Sequence, residues 1–187
     1  MSGIVDFFRR GKRQQDVFTE LLRPHVELMY RMAYRWTQSS SDAEDLVQDI
    51  LTRLATRVDE LQRVDMLRPW LIKILYNRYV DLYRRQRNGP VAYEHEVWTP
   101  DEDALSSPVA RAQDQRDPLG QMEDQRALLK GLAQLDEGQR DVVLLHDVEG
   151  YTALEVADIL ELNVGTVKSR LHRARAHLKK FLMAGTF

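Results

Sequence analysis

At 187 residues, with 43% hydrophobic and 30% charged side chains, the chain has the balance of a globular protein of one domain or two small ones. It has no cysteine, which excludes disulfides and thiolate zinc sites, and no apolar run approaches the roughly 20 residues that span a bilayer. The net charge of −2 is spread unevenly: residues 64–88 hold six Lys/Arg against two acids and residues 164–187 six against none, while residues 89–127 hold three against nine and residues 128–163 two against eight. Counterions are released where charges meet, so phosphate binding depends on local charge, and two basic stretches around an acidic middle leave a nucleic-acid partner open. For charge alone, a solvated face is the plainer account.

The N-terminal stretch Ile4-Val5-Asp6-Phe7-Phe8-Arg9-Arg10 is apolar only briefly, with its basic residues after the apolar part. It does not read as a secretory signal, and the expected compartment is the cytoplasm. Residues 16–38 carry Val17, Leu21, Leu28, Met32 and Trp36 at helical spacing, with Pro24 expected to break or kink the helix. Ser41 and Glu44 have the spacing of a capping box, which predicts a helix from Asp42 to about Gln62. It buries Val47, Ile50, Leu51, Leu54, Val58 and Leu61. Its opposite face shows Asp45, Gln48, Asp49 and Thr52, either a solvated surface or a docking face for a cationic partner. Arg63 to Pro69 reads as a loop, with Pro69 suited to the first turn of a helix from Trp70 to about Arg87. That helix sets Leu71, Ile72, Leu75, Tyr79, Leu82 and Tyr83 against a polar stripe of Lys73, Asn77, Asp81 and Arg84, flanked by Arg78 and Arg85. Trp70 falls on the polar stripe, where it either folds back onto the preceding loop or meets a nucleobase.

Pro90, Pro100, Pro108 and Pro118 punctuate an acidic stretch expected to be a flexible linker. A second helical unit is expected from about Met122 through Leu128, Leu129, Leu132 and Leu135. Asp136 caps the next helix, which carries Val142 to Leu145 and ends at Gly150. Thr152 and Glu155 form another capping box, before a short helix with Val156, Ala157, Ile159 and Leu160. After Glu161-Leu162, Asn163 is a good N-cap for a last helix of about 17 residues. Two capped helices at this separation have the helix-turn-helix layout. On the last helix Val164, Val167, Leu171, Ala174 and Leu178 pack on one side. Gly165, Thr166, Ser169, His172, Arg173, Ala176 and Lys180 lie opposite, flanked by Lys168 and Arg170. Near the N-terminus of such a helix, donors like these reach base edges.

No catalytic set, phosphate-cradling glycine loop or nucleophile elbow is present. His172 and His177 are poorly placed to share a metal, and no metal, cofactor or small-molecule substrate is implied.

Together these residues resemble a known family. Ser41-Asp42-Ala43-Glu44-Asp45-Leu46-Val47-Gln48-Asp49 is similar to the region 2 helix of extracytoplasmic-function sigma factors, the group 4 members of the sigma-70 family of RNA polymerase subunits. Arg68-Pro69-Trp70-Leu71-Ile72-Lys73-Ile74 with Asn77, Asp81, Arg84 and Arg85 resembles the promoter-reading helix that follows. Leu135 to Tyr151 resembles the start of region 4, and Val164 to Arg175 its recognition helix. The resemblance implies an all-α protein of two small helical domains joined by the acidic linker. Its parts would be an N-terminal extension 1–15, region 2 over 16–88, the linker over 89–121 and region 4 over 122–187.

The implied function is to bind core RNA polymerase and direct promoter-specific initiation, with no enzymatic activity. Asp45, Gln48, Asp49 and Thr52 would bind polymerase. Arg63, Arg68, Trp70, Lys73, Asn77, Arg84 and Arg85 would take the −10 element as single strand. Gly165, Thr166, Lys168, Ser169, Arg170, His172, Arg173 and Arg175 would meet the −35 element in the major groove. Implied partners are core RNA polymerase, promoter DNA and an anti-sigma factor. Two other readings stand beside it. A stand-alone helix-turn-helix regulator explains residues 128–187 but not 41–88. A sigma mimic that sequesters an anti-sigma factor would be free to lose the DNA-facing donors, which are kept here.

Overall fold

In a computed structural model the backbone is described for residues 2–87 and 118–184, and the side chains for residues 14–82 and 126–184. Every regular element among the described residues is helical. The chain divides into two compact units, Met1–Tyr93 and Glu94–Phe187.

The first unit is built on α1 (Ser2–Thr37), which continues through Pro24 where a break or kink was expected. Pro24 has no N–H to give the Glu20 carbonyl, but both residues lie on the exposed side, where solvent is at hand for the orphaned acceptor. The same helix takes in most of the expected extension 1–15, with no break at residue 16. Its buried side is Leu22, Leu28, Met29, Met32, Ala33 and Trp36, while Val17 and Leu21 are only half-buried. Gln38 then adopts a left-handed φ of 55° and Ser39 an extended conformation, so the chain turns there.

As a result α2 (Ser40–Ala55) is capped by Ser39, whose Oγ accepts from the Asp42 N–H at 3.3 Å, and the expected cap Ser41 lies inside the first turn. The single helix expected to Gln62 is also interrupted. At Thr56 and Arg57 the chain leaves α2, and a separate short helix α3 (Val58–Leu61) follows. Val58 and Leu61 are buried nonetheless, so the apolar spacing continues across the break and hides it. Next, α4 (Leu67–Arg87) starts ahead of Trp70, which places Arg68 and Pro69 in its first turn and shortens the expected loop. Leu71, Ile72 and Leu75 of α4 are fully buried in the core that α1 and α2 share with it. Burial of this kind stabilises by about 1.5–3 kcal/mol per side chain. Trp36 of α1 meets Tyr76 edge-on at 5.2 Å and stacks on Tyr79 at 5.9 Å, which pins α4 to α1.

In the second unit α5 (Pro118–Ala133) begins ahead of Met122, with Pro118 at the first helical position that proline favours. The expected linker residues 118–121 are therefore helical, and residues 89–117 lie outside the described residues. Asp136 caps α6 (Glu137–Val143), accepting from the Gln139 N–H at 2.8 Å. Arg140 of α6 donates back to the Leu132 and Leu135 carbonyls at 3.1 and 2.8 Å, tying the start of α6 to the end of α5 and the turn between them. Beyond Val143 the helix widens into a π turn, Leu144–Val148, closed by the Glu149 N–H on the Leu144 carbonyl at 2.9 Å. Gly150, at φ 76°, ends it in the left-handed conformation that glycine adopts at least cost.

Candidate nucleic-acid interface

The last two helices are α7 (Ala153–Ile159) and α8 (Val164–Met183). The expected capping box closes both ways: the Thr152 N–H donates to the Glu155 carboxylate at 2.7 Å and the Glu155 N–H to Thr152 Oγ1 at 3.2 Å. At the end of α7, Glu161 takes φ 53° and the Leu162 N–H reaches the Ala157 carbonyl at 2.9 Å, a Schellman closure that turns the chain. Asn163 then caps α8, its Oδ1 accepting from the Thr166 N–H at 2.8 Å. α8 runs to Met183, beyond its expected length.

Val167, Leu171, Ala174 and Leu178 are buried, so one side of α8 is fixed in the core. Gly165, Lys168, Ser169, His172 and Arg173 are exposed, as that packing requires. Several of the expected donors are engaged locally. The Thr166 hydroxyl donates to Asn163 Oδ1 at 2.9 Å, the Ser169 hydroxyl to the Thr166 carbonyl at 2.9 Å, and Arg173 Nε to the Ser169 carbonyl at 3.3 Å. Two residues expected to meet the −35 element are engaged within the unit. Arg175 pairs with Asp147 of the π turn, and Arg170 lies against Gly138.

In the first unit Asp45, Gln48 and Thr52 of α2 are exposed on one face, and Thr52 Oγ1 donates to the Gln48 carbonyl at 2.8 Å. Asp49 is only partly exposed, bound by Arg53 at 3.0 Å and by Arg78 of α4 at 2.7 Å. Burial alone would raise its carboxyl, but the hydrogen bonds and charges of Arg53 and Arg78 outweigh it and hold Asp49 below the usual carboxylate range. It is thus a strut between α2 and α4, with a partner 29 residues away that helical spacing does not reveal. Arg63 is exposed in the loop, as is Met66, at 61%. Arg68, Trp70, Lys73 and Asn77 are half-buried along α4, while the side chains of Arg84 and Arg85 lie outside the described residues.

Among the described residues no group of three His, Asp or Glu side chains is placed to hold a metal ion, and no helix is long and apolar enough to cross a membrane.

A helical unit closed by a capped helix-turn-helix, whose second helix turns a basic face outward, defines a protein of the DNA-binding transcription class. Residues 21–89 match the family model for sigma-70 region 2, and residues 125–178 that for sigma-70 region 4. The chain is 32% identical over 165 residues to the extracytoplasmic-function RNA polymerase sigma factor SigM of Mycobacterium tuberculosis, covering 88% of this chain and 76% of that relative. It is 26% identical over 171 residues to SigW of Bacillus subtilis, covering 91% of each. Among solved structures, the sigma factor RpoE in complex with the anti-sigma factor NepR from Bartonella quintana superposes with a TM-score of 0.63 at 25% identity, over 89% of this chain and 96% of that one. CnrH in complex with the cytosolic domain of CnrY gives 0.58 at 26%, over 91% and 90%. The chain belongs to the extracytoplasmic-function sigma factors, proteins of promoter-specific transcription initiation.

Proposed function

We propose that the chain binds core RNA polymerase and selects promoters by reading the −10 element as single strand through its first unit and the −35 element in the major groove through α8. The observation that carries this is α8 itself: four buried residues fix one side, and Lys168, Ser169, His172 and Arg173 stand exposed on the other near its capped N-terminus. Region 2 would span residues 16–88, with the exposed Asp45, Gln48 and Thr52 docking on a cationic surface of polymerase. The −10 strand would meet the loop at Arg63 and the half-buried Arg68, Trp70, Lys73 and Asn77 of α4, with Arg84 and Arg85 further along the helix. Reading a single strand requires unstacked bases, and a loop beside a cationic helix suits their capture. Region 4 would span 122–187, and the acidic stretch before it would serve as a linker off the promoter duplex. RpoE and CnrH were solved with NepR and with the cytosolic domain of CnrY, which supports an anti-sigma partner for this chain too.

Reconstituted transcription with core polymerase on a promoter library tests the reading. The expected result is a set of transcribed promoters sharing a −10 and a −35 sequence, absent without the chain. Transcription unchanged by adding the chain would overturn it.

A further inference from the structure

Of the three arginines on α8, only Arg173 belongs to the outward face; the other two lead back into their own unit. Arg175 grips Asp147 with both prongs of its fork, Nε to Oδ2 at 2.9 Å and Nη2 to Oδ1 at 2.5 Å. His146 Nδ1 lies 2.8 Å from the same Oδ1. Burial would raise the Asp147 carboxyl, but its bonds to Arg175 and His146 outweigh that and lower it, and the bond to Asp147 raises Arg175. Arg170 reaches the first turn of α6. A Cβ at Gly138 would sit 2.7 Å from its Nη1 and 3.0 Å from its Cζ, so the guanidinium lies directly over that glycine. One arginine is thus tied to the end of the α6 segment and the other rests on its start.

We infer that Arg175 is a positioning residue, not a DNA contact, and that through Asp147 it sets the attitude at which α8 presents Lys168, Ser169, His172 and Arg173. The inference rests on the −35 reading proposed above. A phosphate drawn to Arg175 would have to displace a bidentate carboxylate and would then lie beside the charge of Asp147, which repels it. A side chain held at both prongs suits the alignment of a helix better than the capture of a mobile phosphate.

The test uses the full chain with core polymerase. Its affinity for a panel of promoters differing only in the −35 element is measured at several salt concentrations, for the wild type, Arg175→Gln, Asp147→Asn and the double variant. Each single variant is expected to change the ranking of −35 sequences by roughly three- to tenfold, and the double variant no further, because both break one coupling. The salt slope should stay at the wild-type value. A slope reduced by about one, with every sequence weakened alike, would mark Arg175 as a phosphate contact and overturn the inference. A uniform loss at constant slope, an unchanged ranking, or additive effects in the double variant would overturn it as well. If the wild type itself shows no −35 preference, the proposed reading fails, and the inference falls with it.

Discussion

At Glu161 the turn between α7 and α8 depends on a left-handed conformation, φ 53°, in a residue with a Cβ. Such a conformation costs about 1–2 kcal/mol in an L residue. Glycine would remove that strain while adding about 0.5–1 kcal/mol of unfolded-state entropy. Glu161→Gly is therefore expected to stabilise the second unit by about 0.5–1 kcal/mol, seen as a higher urea midpoint with an unchanged slope. Asp45 and Asp49 make a second comparison, since they are two acids on one helix with different work. Asp49 is held by Arg53 and Arg78, and its folded pKa lies below the usual value. Its contribution is present above the ordinary carboxylate range and is lost as pH falls through the depressed folded value. Asp49→Asn should lower stability by up to about 1 kcal/mol at neutral pH, with the difference from wild type vanishing in strong acid. Asp45→Asn should leave unfolding within about 0.5 kcal/mol of wild type and weaken binding to core polymerase instead. Denaturant titrations at two pH values, beside a polymerase-binding assay, separate the two acids.

At the scale of elements, α1 and α4 share a titratable contact. His25 of α1 has its pKa lowered, first by burial and then by the charge of Arg68 in the first turn of α4. An imidazole lowered on folding takes its proton more readily when unfolded. Stability is therefore full above the ordinary value of about 6.5 and is lost as pH falls from there through the folded value. His25→Gln should flatten the pH dependence of unfolding between about pH 7 and 5, and an unchanged curve would put the cause elsewhere. The sequence made some of these elements plain and concealed others, for physical reasons. Asn163, Thr152 and Asp136 were legible as caps because a cap is a local bond spanning three residues. Ser39 and Ser41 offered the same chemistry two positions apart, and the left-handed Gln38 chose between them. The break after α2 was hidden because Val58 and Leu61 remain buried beyond it. The exposed face of α8 followed from its apolar stripe. The ties of Asp49 to Arg78 and of Asp147 to Arg175 did not, because a helical wheel gives direction and not the partner that another helix supplies.

For the whole molecule, a net charge of −2 conceals basic stretches at residues 64–88 and 164–187. Promoter binding by the chain with polymerase should accordingly weaken steeply with salt, since counterion release follows the contacts and not the sum of charges. Late on α8, Lys179 is exposed and suited to the backbone, whereas Arg173 stands on the outward face. Lys179→Gln should weaken all promoters alike and reduce the log–log salt slope by about one unit. Arg173→Ala should cost about 1–3 kcal/mol on the preferred −35 sequence and less on others. Binding isotherms across sequence and salt give both quantities. Equal scaling of every sequence by both substitutions would remove Arg173 from base reading.

Pro24 gives α1 a seam. A helix unwinds from its end by breaking one hydrogen bond after another, and at Pro24 one bond is missing from the start. Among the described residues the fully buried side chains begin at Leu22, beside that gap, while Gln14, Gln15, Asp16, Thr19 and Glu20 are exposed. The same helix is thus expected to show two cooperativities: residues 14–20 opening turn by turn, and a trailing stretch opening only with the core around Met29 and Met32. Amide hydrogen exchange should show this as a step along one continuous helix. Amides over residues 15–20 should exchange orders of magnitude faster than those of Met29 to Ala33, whose protection should track the global stability of the unit.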